Sequence, residues 1–415
     1  MPPNAMPGFR KTKVGWIPEG WVHSVIGEAK HYLTSGSRGW SQYYNNTGEL
    51  FVRITNLTRE AIRLDYADCC FVKLPSGTSE GTRTRLKAGD ILISITADLG
   101  IIAYFSSEEP YPLAYVNQHV ALLRLYDNNI SSKFVAYQLA APHAQRRFQE
   151  ITDQGAKAGL NLASIRSFPV VLPSLPEQEA IAGVLECWDK AIRGCERKIE
   201  KKRQIKKGLM QQLLSGKRRL PGFKGEWLDV RLGALASIKK GQQLNRLDQA
   251  ETGDYPVLNG GVQPLGYTDK WNTEANTITI SEGGNSCGFV SMNRARFWCG
   301  GHCYALKEDS ARVDLDFLYQ QLKHNQSAIM RLRVGSGLPN IQKKTLEKLI
   351  CPMPRLEEQR AIAAVLSSAD GEIAVLERKL GALREQKRFL LNNLVTGAIR
   401  LPAFCRRRTH RKERK

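Results

Sequence analysis

The chain has 415 residues, 42% of them hydrophobic, with 61 Lys and Arg against 40 Asp and Glu and a formal net charge of +21. That length predicts two cored domains, and that composition is globular, with no apolar run approaching a membrane span. The charge excess is the electrostatic footprint of a polyanion binder, nucleic acid first, although it carries no information on which sequence is preferred.

The first residues, MPPNAMPGFRKTKVGW, lack the apolar stretch of a signal peptide. Nine cysteines, an odd number with no framework spacing, predict a reducing, cytoplasmic compartment. In chain order the sequence divides into an N-terminal segment (1–20), a globular domain (21–172), a long helix (173–226), a second globular domain (227–353), a second long helix (354–404) and a basic, disordered tail (405–415). Within the globular parts, ILISITADLGIIAYF and TITISEGGNSCGFVSM each read as strand, small-residue turn, strand.

The division rests on a repeat. Pro173–Phe223 recurs as Pro354–Phe404, 181 residues later, without a gap and with 23 of 51 positions identical. Fainter anchors repeat between the helices: Trp21 with Trp227, Gly27 with Gly233, His119 with His302 and Phe134 with Phe317. In the second helix Ile362, Leu366, Ala369, Ile373, Leu376, Leu380, Leu383, Leu390 and Leu394 follow the 4-3-4-3 spacing of a coiled-coil seam. The first carries Ile181, Leu185, Trp188, Ile192, Cys195, Ile199, Leu209 and Leu213 in the same register. Ser174 with Glu177 forms a candidate capping box, and Gly216 and Gly397 suit the left-handed position after each helix. About 40 helical residues make a rod on the order of 60 Å long, and matching seams predict that the two rods pack together.

Lys206 and Lys387 are equivalent in the repeat and interrupt both seams at one level. Their ammonium groups either snorkel out along the helix face or break the seam to meet a partner or a phosphate. The segment Arg197–Lys207 holds seven basic residues in eleven, and the tail CRRRTHRKERK seven more. Runs of this kind are ordinarily solvated faces or disordered tails, and here they add to the chain-wide excess.

No catalytic constellation is visible. Ser215-Gly216-Lys217-Arg218 lacks the leading glycine and the hydroxyl of a phosphate-binding loop, and Gly335-Ser336-Gly337 is no dinucleotide fingerprint. Paired carboxylates with the lysine of a nuclease, and the Asn-Pro-Pro-aromatic motif of a methyltransferase, are both missing. Cys287, Cys299, His302 and Cys303 lie within seventeen residues but match no common zinc spacing, which favours strand or core roles over a metal site.

Several motifs, in order and twice over, resemble the specificity (S) subunits of type I restriction–modification enzymes across almost the whole chain. They are the Leu-x-Glu-Gln-x-x-Ile helix openings Leu175–Ile181 and Leu356–Ile362, each two residues after a proline, the closing segments Leu213–Phe223 and Leu394–Phe404, and the opening Gly15-Trp16-Ile17-Pro18-Glu19-Gly20-Trp21. The Arg-rich tail after Phe404 is not part of that pattern. The resemblance implies an α/β (α+β) fold with two pseudo-symmetric target-recognition domains, separated by two long antiparallel coiled-coil helices that fix the distance between half-sites. It implies a non-catalytic subunit that reads an asymmetric bipartite site in double-stranded DNA. Methyltransferase (M) and restriction (R) subunits would be its partners, with no membrane involved. The chain would carry no cofactor or metal itself; S-adenosylmethionine, ATP and Mg²⁺ would sit on the partners.

Base-reading residues are expected where loops of the two halves differ and carry groups suited to base edges. In the first half these are Ser35, Ser37, Arg38, Trp40, Arg53, Thr55 and Asn56; in the second, Lys239, Lys240, Gln242, Gln243, Asn245, Asn259 and Gln263. Glu177, Gln178, Glu358 and Gln359 recur at the helix openings, either as first-turn groups favoured by the helix dipole or as docking points for M subunits. Two other readings stand beside this one. A coiled-coil DNA-binding scaffold or regulator would shift DNA without partners, and a nuclease or methyltransferase with an unrecognised site would act alone.

Overall fold

A computed structural model describes residues 8–75, 79, 81–153, 160–309, 311–335 and 339–405. Beyond Cys405, the basic tail lies outside the described residues. Contacts group the chain into two compact units, Met1–Cys195 with Lys379–Lys415, and Glu196–Arg378. The repeat placed boundaries at the helix starts; the contacts divide each long helix near its middle, because each unit packs the beginning of one helix with the end of the other.

In the first unit a four-stranded antiparallel sheet is ordered His31–Ser35, Val120–Leu125, Ile91–Ser94, Ile102–Tyr104. Its two middle strands open with the continuous apolar runs VALL and ILI, as strands covered on both faces must. Ile91, Ile93, Ala121 and Leu123 face the helix Ser132–Ala140 and the ends of the long helices, while Leu92, Leu122 and Val120 face a second sheet. That second sheet pairs Glu49–Val52 in parallel with Ala114–Val116. The strand–turn–strand reading of the two internal segments matches adjacent strands of the antiparallel sheets, Ile91–Ser94 with Ile102–Tyr104 here and Thr277–Ser281 with Val290–Asn293 in the other unit.

The second unit repeats the plan. Its antiparallel sheet is ordered Ala236–Lys240, Cys303–Glu308, Thr277–Ser281, Val290–Asn293, and its parallel pair is Tyr255–Leu258 with Trp298–Cys299. The aromatic anchors shared by the halves are core: Trp21, Phe134 and Phe317 are all buried, and Trp227 meets Phe317 edge-on.

The long helices span Leu175–Leu213 and Leu356–Leu394, 39 residues each. In the second unit Lys202 pairs with Glu372 and Lys206 with Asp370; in the first, Glu177 pairs with Arg400 and Asp189 with Lys387. Rising residue numbers on one helix meet falling numbers on the other, so the packing is antiparallel in both units. Ile181, Leu185, Ile192, Ile362, Leu366 and Leu394 are buried in the seam, and Gly216 and Gly397 end the helices at φ +68° and +72°.

The seam lysines do not snorkel out into water; each turns to an aspartate of the opposite helix. Lys387 is buried, its ammonium 2.6 Å from Asp189 and 3.0 Å from the carbonyl of Glu60. Lys206 lies 2.6 and 2.8 Å from the two oxygens of Asp370. Asp189 and Asp370 are themselves equivalent in the repeat, so the pairing is crossed: each lysine meets the aspartate of the other helix. Asp189 also accepts the Tyr137 hydroxyl at 2.7 Å, and Asp370 the Gln320 amide at 2.8 Å. Burial, and then the Asp189 charge, hold the Tyr137 phenol far above its usual range, so it remains a donor.

Candidate nucleic-acid interface

Four chain segments meet at one end of each main sheet. In the first unit the strand ending at Ser35 pairs beside the start of Val120–Leu125, and Ser94 pairs with Val120. The amide of Ser37 donates to the carbonyl of Val116 (3.0 Å), and that of Asn117 to Val52 (3.0 Å). The loops after residues 35, 52 and 94 therefore converge on the turn Asn117–His119. In the second unit the Gln242 amide donates to Cys299 (2.9 Å) and that of Gly300 to Leu258 (2.8 Å), so the loops after 240, 258 and 281 converge on Gly300–His302. Gly36 and Gly241 are equivalent in this frame. A Cβ at either would lie 1.8 or 2.3 Å from the carbonyl of Asn117 or Gly300, so the close crossing needs glycine.

The frame is shared and the side chains on it are not. Ser35-Gly36-Ser37-Arg38 occupies the place of Lys240-Gly241-Gln242-Gln243, and Arg53 that of Asn259. Arg38, Thr55, Lys239, Lys240, Gln242, Gln243, Asn245 and Gln263 are exposed, whereas Ser35, Ser37 and Asn259 are half-buried. Ser37 shares a hydrogen bond with Thr84 (3.0 Å), Lys240 is 2.6 Å from Glu282, and Asn245 caps the turn at Leu247 (3.3 Å). Asn259 accepts from the amide of His302 at 3.0 Å, which ties its loop to the histidine turn.

Three of the expected base readers hold the first unit's own loops together. Trp40 is buried, stacked on Phe51 with ring centroids 5.2 Å apart. Asn56 is fully buried; it accepts from the Arg53 amide (2.9 Å) and donates to the carbonyls of Asp65 (2.9 Å) and Asp68 (3.0 Å). Arg53 turns its guanidinium onto Asp68 at 2.8 Å. Asn56, buried and satisfying loop carbonyls, is not available to a base edge, whereas Arg53 and Asp68 form a partly exposed pair.

The helix openings are likewise internal, their Glu and Gln side chains buried against their own unit. Gln178 and Gln359 are buried and do the same work in each unit. The amide of Ser131 donates to Gln178 (2.9 Å), which donates to the carbonyls of Asn129 (3.1 Å) and Pro173 (2.9 Å). The amide of Asp314 donates to Gln359 (2.8 Å), which donates to Arg312 (3.2 Å) and Pro354 (2.9 Å). Glu177 and Glu358 are buried under bidentate pairs with Arg400 (2.8 and 2.7 Å) and Arg219 (2.5 Å to each oxygen). The Glu177 carboxylate thus serves Arg400, not a capping box with Ser174. Those hydrogen bonds push both guanidinium groups above their usual range.

Two units with one frame and different loop side chains, joined by duplicated helices, match a known family. The family model for the type I restriction modification DNA specificity domain matches residues 62–204 and 224–385, most of the chain. The chain belongs to this family. It is similar to the putative type I restriction enzyme MjaX specificity subunit of Methanocaldococcus jannaschii, at 26% identity over 95% of this chain and 97% of that one. A putative type I specificity subunit of Mycoplasma pneumoniae is 34% identical over 40% of this chain and 46% of its own. The fold is similar to that of the S subunit of a type I restriction–modification system from M. genitalium, with TM-score 0.66 and 18% identity over 90% of this chain and 96% of that chain.

As a specificity subunit the chain recognises DNA sequence, and the loops converging on the histidine turns are the surfaces that differ between its halves. The cysteines nearby are structural in placement. Cys287 donates to the Glu282 carbonyl (2.9 Å), and Cys299 and Cys303 are buried in neighbouring strands. Among the described residues no group of three or more His, Cys, Asp or Glu could hold a metal ion, and no helix is long and apolar enough to cross a membrane. Reading the sequence missed Asp189, Asp370, Arg219 and Arg400. Their signal was present: each aspartate and each arginine recurs at the 181-residue shift, as do their opposite charges, Lys206 with Lys387 and Glu177 with Glu358.

Proposed function

We propose that this specificity subunit reads an asymmetric, bipartite site in double-stranded DNA, one half with each unit, and recruits methyltransferase and restriction subunits that carry the chemistry. The observation behind this reading is the pair of loop ends, equivalent in strand order and backbone hydrogen bonding, that bear Ser-Gly-Ser-Arg in one unit and Lys-Gly-Gln-Gln in the other. Equivalent backbones place these side chains alike, and unlike donors and acceptors select unlike bases. The paired helices would set the distance between half-sites. S-adenosylmethionine, ATP and Mg²⁺ would belong to the partners.

Methylome sequencing of a host expressing the chain with its methyltransferase partner is expected to show one bipartite motif with two different halves. Arg38→Ala relaxes only one half, and Gln243→Ala only the other, each losing about 1–3 kcal/mol of discrimination if it makes a bidentate base contact. A palindromic motif, or a single variant altering both halves, counts against the reading. The purified chain, given DNA, Mg²⁺, ATP and S-adenosylmethionine, is expected to leave the DNA unchanged. Methylation or cleavage that persists after every other subunit has been removed makes it an enzyme in its own right.

A further inference from the structure

The second unit exposes apolar side chains where the first buries them. In the first unit the loop after Val52 folds back on itself, with Leu57, Ile62 and Leu64 all buried. In the second, the equivalent segment after Leu258 is a short hairpin: Tyr255–Leu258 pairs with Gly266–Thr268, and the Leu265 amide donates to Val257 (2.8 Å). At its tip Val262 and Leu265 are 57% and 61% exposed, on either side of the exposed Gln263. Turns are ordinarily polar, and nothing in the fold requires two branched aliphatics there.

The hairpin is anchored against the reading end. Ser281 and Ser286 both donate to the carbonyl of Gly260, and Asn259 accepts from the amide of His302. Gly260 has φ +84° and Pro264 fixes its own φ, so the tip is presented stiffly. From Asn259 to Gly266 the tip carries no charge, while Lys239 and Lys240 are exposed at the end of Ala236–Lys240, whose loop converges on the same histidine turn. An uncharged amide between two aliphatics does not suit phosphate. It suits an A·T pair in the major groove, where adenine offers N6 and N7 to a glutamine amide and thymine offers its 5-methyl group to apolar contact.

Resting on the proposed DNA-reading function, we infer that the Val262–Leu265 tip is a specificity element that reads an A·T pair: Gln263 hydrogen-bonds adenine, and Val262 and Leu265 pack on the thymine methyl. The test uses the full chain in complex with its methyltransferase subunits and a duplex carrying the motif found by methylome sequencing. Thymines of each half-site are replaced one at a time by deoxyuridine, which removes the methyl group and leaves every hydrogen bond intact. One replacement in the half-site read by the second unit is expected to weaken binding about fourfold, the effect of one buried carbon. Val262→Ala with Leu265→Ala should weaken binding to the thymine duplex and abolish the difference between thymine and uracil. The inference is overturned if no uracil in that half-site weakens wild-type binding, or if the double variant still discriminates. A complex that binds a scrambled duplex as well as the motif would defeat the DNA-reading function itself, a separate outcome.

Discussion

Asp189→Ala is expected to destabilise the first unit by about 3–5 kcal/mol, far more than the equivalent Asp370→Ala in the second. The two aspartates occupy the same place in the repeat, and each pairs with the seam lysine of the opposite helix. Burial separates them. The side chains of Asp189 and Lys387 are both only 8% exposed, whereas Asp370 is 44% exposed beside a Lys206 at 15%. Removing Asp189 leaves a largely buried ammonium with no counter-charge beside it and a Tyr137 hydroxyl without its acceptor. Removing Asp370 leaves Lys206 at a site that solvent already reaches, where pairs of this kind contribute about 0–1 kcal/mol. Urea unfolding followed by hydrogen exchange in each unit measures the contrast. Replacing both partners, Asp189→Leu with Lys387→Met, should recover much of the loss, because an apolar pair carries no desolvation penalty. Equal losses at the two positions would mean that burial does not govern these pairs.

The seam lysines show where sequence reading stops. Periodicity placed Lys206 and Lys387 on the packed face correctly, because 3.5-residue spacing reports which way a side chain points. It does not report what lies opposite, and Asp370 is 164 residues from Lys206 along the chain. The helices and their glycine ends were legible for a related reason: their signals are local and were written twice. Loop chemistry was less legible. The composition around Trp40, Arg53 and Asn56 correctly marked a loop that differs between the halves. Whether an asparagine there reads a base or closes its own turn depends on carbonyls 9 and 12 residues away, which only folding brings within reach. Val262 and Leu265 were overlooked because candidates were sought among polar groups, and exposure of an aliphatic is a property of the folded hairpin.

Gln178→Ala and Gln359→Ala should each destabilise one unit and spare the other. Both glutamines are buried, and each bridges the start of its long helix to the segment that opens the short helix of its unit, Ser132–Ala140 or Leu315–His324. Truncating Gln178 leaves the Ser131 amide and two carbonyls without partners; an unsatisfied buried group costs about 1–3 kcal/mol, so a loss of roughly 2–4 kcal/mol is expected for each variant. Because the two sites share no partners, the double variant should show both losses independently. Amide exchange gives the signature: Gln178→Ala speeds exchange at Ser131 and not at Asp314, and Gln359→Ala does the reverse. Weakened assembly with methyltransferase subunits should then follow the loss of stability. If the double variant were as stable as the wild type and still failed to assemble, these glutamines would be docking groups, and their internal hydrogen bonds would be incidental.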